Sequence, residues 1–335
     1  MPVALLAMLA IAVLLPESRD PAPPRPDVAG GLLSTAGLGS FVYGVIQAPA
    51  RGWGDPLVLA ALAAAAVLLA RFAAWELRTR QPMIDLRLFG RPLFVWACVA
   101  ITLASFALLG LLFVVPQYLQ FVLGFDALGT GLRLLPMIAG LILGAAAGER
   151  LAARRGYRLP VAVGLLLVAA GLTLGATTDL GSGYGLLAGW LALVGLGVGA
   201  ALAPGTDAVL AVLPPERSGA GTALAYALRQ TGGALGVALL GSLLAQGYSD
   251  RVAVAGLPAP AAEAARDSIA GGLAVAARLG DPGLAASAQA AYLHGMTLVL
   301  LACVAIALVG AGLAAVFMPS RTGQVAPRRR EAEVA

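Results

Sequence analysis

Long apolar runs separated by short polar breaks fill almost the whole chain, and arginine collects in every second break. About 20 apolar residues in a helix span the hydrocarbon core of a bilayer. A backbone crossing hydrocarbon must satisfy its own N–H and C=O groups, so runs of this length cross as helices. Hydrophobic residues hold 60% of the 335 positions and charged ones 12%, and the mean hydropathy is +0.89. A water-soluble globule could not hide that much apolar surface. The chain reads as an all-α polytopic membrane protein.

The pattern predicts about nine hydrophobic segments, near 1–15, 31–48, 57–75, 93–115, 130–148, 160–178, 184–206, 219–246 and 291–318. One set of breaks holds Arg19 and Arg25, then Arg71, Arg78, Arg80, Arg87 and Arg91, then Arg150, Arg154, Arg155 and Arg158, then Arg217, then Arg321 and Arg328 to Arg330. The other set holds Arg51 with Asp55, Asp126, Asp179 and a mixed-charge stretch over 247–290. Cytoplasmic loops carry the Arg excess. The first set, and with it the C-terminus, is therefore expected inside the cell. Every basic residue is Arg and none is Lys, which we read as the mark of a GC-rich bacterial genome and a bacterial plasma membrane.

A net charge of +5 does not point to nucleic acid, because the arginines form no basic stretch interleaved with aromatics. Cys98 and Cys303 each lie inside an apolar run without ligand spacing and read as small core residues. The single histidine, His294, has no partners for a metal site or a nucleophilic triad. No HExxH or Ser-His arrangement is present, so the sequence predicts neither enzyme, metal nor cofactor. The first run, "MPVALLAMLAIAVLL", makes about 22 Å of helix against a core of about 30 Å. It ends in "PESRDP" rather than a cleavage site, so the chain is expected to begin inside a transmembrane helix and to lack what precedes it.

Three stretches resemble one family in order. These are "LLPESRDP" followed by "DVAGGLLSTAGLGSFVYGVIQAPARGW", then "VVPQYLQFVLGFDALGTGLRLLP" and "PPERSGAGTALAYALRQTGGALGVA". They are similar to the major facilitator superfamily, and within it to the fourteen-helix drug:proton antiporters of the EmrB/QacA type, from the sixth helix onward. The resemblance implies a remnant of the sixth helix and its loop over 1–30, and two linker helices with a loop over 31–92. A C-terminal six-helix bundle follows over 93–318, built as two three-helix repeats with an outer loop at 247–290, and a cytoplasmic tail over 319–335. It implies export of small hydrophobic or cationic compounds in exchange for protons by alternating access, with the lipid bilayer, the small-molecule substrate and protons as partners. The resemblance also implies that the parts most tied to proton coupling belong to a first bundle, expected to precede these residues. The alternative is a non-transporting half-protein that acts at most as a membrane assembly partner.

The loop "GERLAARRGYR" resembles the superfamily's cytoplasmic loop motif, with Arg154, Gly156 and Arg158 on matching positions. Glu149 and Ala153 stand where glycine and aspartate are expected, so either Glu149 replaces the missing carboxylate or the loop is a topological anchor. Gly140, Gly144 and Gly148 fall four apart, as do Gly195 and Gly199, and Gly232 and Gly236. Each set lies on one helix face and is expected to let two helices approach closely. Arg229 falls about 16 Å along the helix that starts near Ser218, where an arginine costs at least about 2.5–3.5 kcal/mol unless it faces protein or water. Thr222, Tyr226, Arg229, Gly233 and Gly236 are expected on one stripe. The stripe either lines a translocation path, or Arg229 snorkels and bonds neighbouring helix ends, with Glu149, Asp207 or Glu216 as acidic partners. Gln117, Tyr118 and Gln120 either contact substrate or form an interfacial belt. Arg133 is expected either to reach outward to the headgroups or to line the pathway.

Overall fold

The computed structural model describes residues 27–79, 86–213 and 218–319. The expected segment 1–15, Glu216 and the C-terminal tail lie outside the described residues. The other expected segments all appear as helices, though several ends move. They are α1 (Val28–Arg51), α2 (Pro56–Glu76), α3 (Pro92–Gln117), α4 (Ala127–Arg133), α5 (Leu135–Arg155), α6 (Arg158–Gly175), α7 (Tyr184–Leu210), α8 (Ser218–Ser249), α9 (Ala259–Asp267), α10 (Ile269–Leu279) and α11 (Pro282–Phe317). Among the described residues, seven helical stretches are long and apolar enough to cross a membrane. The helix α8 is 32 residues long but is not among the seven, because Arg229, Gln230 and its glycines dilute its apolar content.

We call the end carrying Arg78, Arg91, Arg150 and Arg154 the basic end and the opposite one the distal end. The expected segment 130–148 is in fact two helices, α4 and α5, that part at Leu134. Pro136 supplies no N–H there, so the ladder breaks at the distal end. The last helix starts earlier than expected, at Pro282, with Asp281 accepting from the Gly283 and Leu284 amides as its N-cap. Its 36 residues make about 54 Å, well beyond a core of about 30 Å, so α11 stands out from the bundle at the distal end. Against this post the 247–290 stretch folds into α9 and α10. The buried Tyr248 hydroxyl donates to the carbonyls of Ala265 (2.8 Å) and Ser268 (3.2 Å), and the Ala253 amide donates to Ser287 Oγ at 2.8 Å.

The bundle has an internal order. The helices α5 and α6 pack on α7 as α8 and α11 pack on α3, while α3 meets α7 and α6 meets α11. Exchanging α3 with α7, α5 with α8 and α6 with α11 leaves these contacts unchanged. With three helices in each unit, the second unit threads the membrane in the opposite sense. The seams of the two units are also alike. A Cβ on Gly140 or Gly144 would run into the Ala192 or Leu196 carbonyl of α7, and one on Gly195 or Gly199 into the Met137 or Leu141 carbonyl of α5. A Cβ on Gly148 would lie 2.9 Å from Ala200 Cα. In the other unit, Gly232 and Gly236 bring α8 against the Thr102 and Phe106 carbonyls of α3. Lipid offers no hydrophobic drive for helix association, so close backbone packing supplies it. Between the seams lies a core that includes Phe94, Ile101, Tyr118, Trp190 and Tyr292, all 2% exposed or less.

The helices α1 and α2 form a separate hairpin, closed at its basic end by Asp27. This carboxylate caps α1 through the Gly30 amide at 2.9 Å and accepts from the Trp75 indole at 3.0 Å. The hairpin rests on the bundle through α1 against α8.

Candidate functional site

The residues singled out in the sequence lie on different surfaces. On α8, Thr222, Tyr226 and Arg229 are exposed, Tyr226 at 61%. Gly233 and Gly236 are buried, so the expected single stripe ends at Arg229. Beyond it the helix face turns onto Leu109 and Phe106 of α3. Among the described residues Arg229 has no hydrogen bond or ion pair. Glu149 and Asp207, two of its expected partners, are themselves exposed and make no ion pair with it.

At the distal end of α3, Pro116 has no N–H to continue the ladder, and the helix widens into a π-turn over Tyr118–Val122. The turn separates the three residues expected to act together. Gln117 Nε2 donates to its own helix at Phe113 O, 2.9 Å away. Tyr118 is 1% exposed and belongs to the core rather than to an interfacial belt. Gln120 faces outward. Two side chains of α11 hold the turn: the buried Tyr292 hydroxyl donates to Val114 O at 2.8 Å, and Gln289 Nε2 donates to Val122 O at 3.3 Å. Arg133 is held by side chains of the distal end. Its guanidinium lies 3.4 Å from the centroid of the Phe125 ring and 5.5 Å from that of Tyr184, and Nη1 donates to Gly129 O at 3.2 Å. Stacking on two electron-rich faces holds the cation inward.

At the basic end, Gly156 ends α5 with φ +78° and its amide donates to Ala152 O. Glu149, Arg154 and Arg158 are exposed and form no ion pair among the described residues. Tyr157, beside them, has its phenol pKa raised by burial and, second, by the Asp207 carboxylate. Cys98 and Cys303 are buried free thiols, and His294 is half-buried in α11.

The structure adds a site that the sequence reading did not single out. Between α1, α3 and α8, from Gln230 onward, runs an open groove of about 1180 Å³. One wall is apolar, from Leu109, Leu112 and Phe113 of α3 with Ile46 of α1. The other is α8, which presents Gln230, Ser242, Gln246 and Ser249. Arg266 and Asp267 of α9 stand at the distal mouth. The sequence held only part of the signal: Ser242, Gln246 and Ser249 return to one side of α8, whereas Gln230 falls on a different face. It was legible only if the neighbouring wall was known.

The described residues thus form a multi-pass helical bundle of two intertwined three-helix units, with a groove between α1, α3 and α8. The chain belongs to the Major Facilitator Superfamily, whose family model matches residues 1–255. It is 35% identical over 325 residues to the tetracenomycin C resistance and export protein of Streptomyces glaucescens, covering 93% of this chain and 60% of that protein. It is 34% identical over 245 residues to the multidrug resistance protein Stp of Mycobacterium tuberculosis, covering 73% and 45%. With the puromycin resistance protein pur8 of Streptomyces alboniger it shares 31% identity over 326 residues, covering 96% and 59%. The matches thus span 60% or less of the length of these relatives.

Proposed function

We propose that the chain works in the export of small hydrophobic compounds from a bacterial cell, in exchange for protons and by alternating access, as a transporter of the fourteen-helix drug:proton antiporter type. The observation that carries this is Arg229, exposed about 16 Å along α8 and without an ion pair among the described residues, one residue before Gln230 of the groove. A cation kept at that depth against its insertion cost is a functional-site feature by default. Relatives named for resistance and export support the same reading. The basic end then faces the cytoplasm, in line with the Arg bias of its loops. The exposed Thr222 and Tyr226 continue the path towards that side, and the seams at Gly140, Gly144, Gly148, Gly195, Gly199, Gly232 and Gly236 let each unit move as a rigid body.

The test is made in the cell that produces the protein. Disrupting its coding sequence should raise accumulation of apolar toxic compounds, and a protonophore should abolish the difference from the parent. Arg229→Ala at the native locus should match the disruption, while Arg229→Lys should restore only part, because lysine keeps the charge and loses the planar fork. Parental accumulation in the Arg229→Ala strain would defeat the proposal.

A further inference from the structure

The groove has a charge character that restricts what can occupy it. Over the stretch from Gln230 to Ser249, about 28 Å of α8, the polar groups it offers are amides and hydroxyls. Of the described carboxylates only Asp267 lines it, at the mouth, beside Arg266. At the opposite end Arg229 precedes Gln230, is exposed, and has no ion pair among the described residues. A cation moving along the groove would leave water, find no carboxylate along the α8 wall, and end one residue from Arg229, a cation with no ion pair among the described residues. A neutral molecule meets none of these costs. It buries its apolar side on Leu109, Leu112 and Phe113 and pairs its acceptors with the Gln230 and Gln246 amides. The volume, about 1180 Å³, exceeds the roughly 300–1,000 Å³ usual for drug-sized pockets, which favours a large or elongated occupant.

We propose that the groove between α1, α3 and α8 is a binding site for uncharged, elongated apolar molecules carrying hydrogen-bond acceptors along one edge, and that it excludes organic cations. This rests on the transport reading for its purpose, and it makes Ile46 of the α1–α2 hairpin part of the substrate wall.

Three aryl probes of like shape separate the charge states: neutral triphenylphosphine oxide, cationic tetraphenylphosphonium and anionic tetraphenylborate. Binding is measured by titration calorimetry on the purified full chain. The oxide should bind at least tenfold more tightly than the phosphonium. Gln230→Leu or Gln246→Leu should weaken the oxide several-fold, since its single acceptor reaches only one of the two amides, and neither should change the phosphonium. Arg229→Gln should bring the phosphonium to within about threefold of the oxide. Tetraphenylborate binding more tightly than the oxide would replace the neutral class with an anionic one and overturn the proposal. So would a phosphonium equal to the oxide, an oxide indifferent to both glutamine variants, or no binding by any probe. Binding is read without transport, so a chain that binds as expected but whose disruption leaves accumulation unchanged would sink the export reading and spare the groove.

Discussion

At Gly144 a single methyl group decides whether two helices can touch. Its Cβ would run into the Leu196 carbonyl of α7, and backbone cannot step aside as a side-chain tip can. Gly144→Val should therefore cost about 1–3 kcal/mol or more and lower the unfolding temperature of the detergent-solubilised protein. Gly31→Ala is the control: it faces open space in α1 and should be neutral or stabilise by up to about 1 kcal/mol. Gly156 is constrained differently, by φ +78° and ψ 176°, a conformation nearly restricted to glycine. Gly156→Ala should cost about 1–3 kcal/mol, again read as a drop in unfolding temperature. The four-residue glycine spacings were visible in the sequence because helical periodicity alone puts such residues on one face. Tyr118 was not legible in the same way. A tyrosine near a helix end fits a belt, a pathway or a core, and only the packing of α3 shows that Tyr118 continues the buried face of Ala107, Leu111 and Val114.

Among elements, the dependence of α3 on α11 is the feature that length and hydropathy do not announce. Pro116 weakens the distal end of α3, and Tyr292 and Gln289, three residues apart on one face of α11, hold it. Tyr292→Phe removes one buried hydrogen bond with little change of shape, worth about 0.5–1.5 kcal/mol. Amide exchange over 117–125 should accelerate about 2- to 10-fold, with the basic half of α3 unaffected, and mass spectrometry of that peptide reads it directly. Unchanged exchange there would mean that the π-turn holds itself. The break between α4 and α5 was foreshadowed by Pro136, yet the hydropathy run continues through it. Apolar character reports where the chain is buried in lipid and says little about whether its helix is continuous.

For the whole molecule, the alternation of basic and bare loops makes an orientation testable with two introduced thiols. Cys98 and Cys303 are buried, so background labelling should be low. Glu263→Cys in α9 should react with a membrane-impermeant maleimide in intact cells, and Arg154→Cys only after permeabilisation. Labelling of both from one side would contradict the two-sided threading. The places and the order of the apolar helices within the described residues were legible in the sequence, because hydrocarbon imposes one rule on every crossing segment, and loop charge turns sidedness into an expectation that the thiols test. Which faces meet was decided only in the tertiary structure. The glycine faces could have met in several pairings, and the exchange of α3 with α7, α5 with α8 and α6 with α11 selects one. The groove is of the same kind. The glutamines and serines of α8 became one wall of a site only when α3 and α1 supplied the other, since a binding surface is a property of residues brought together from distant parts of the chain.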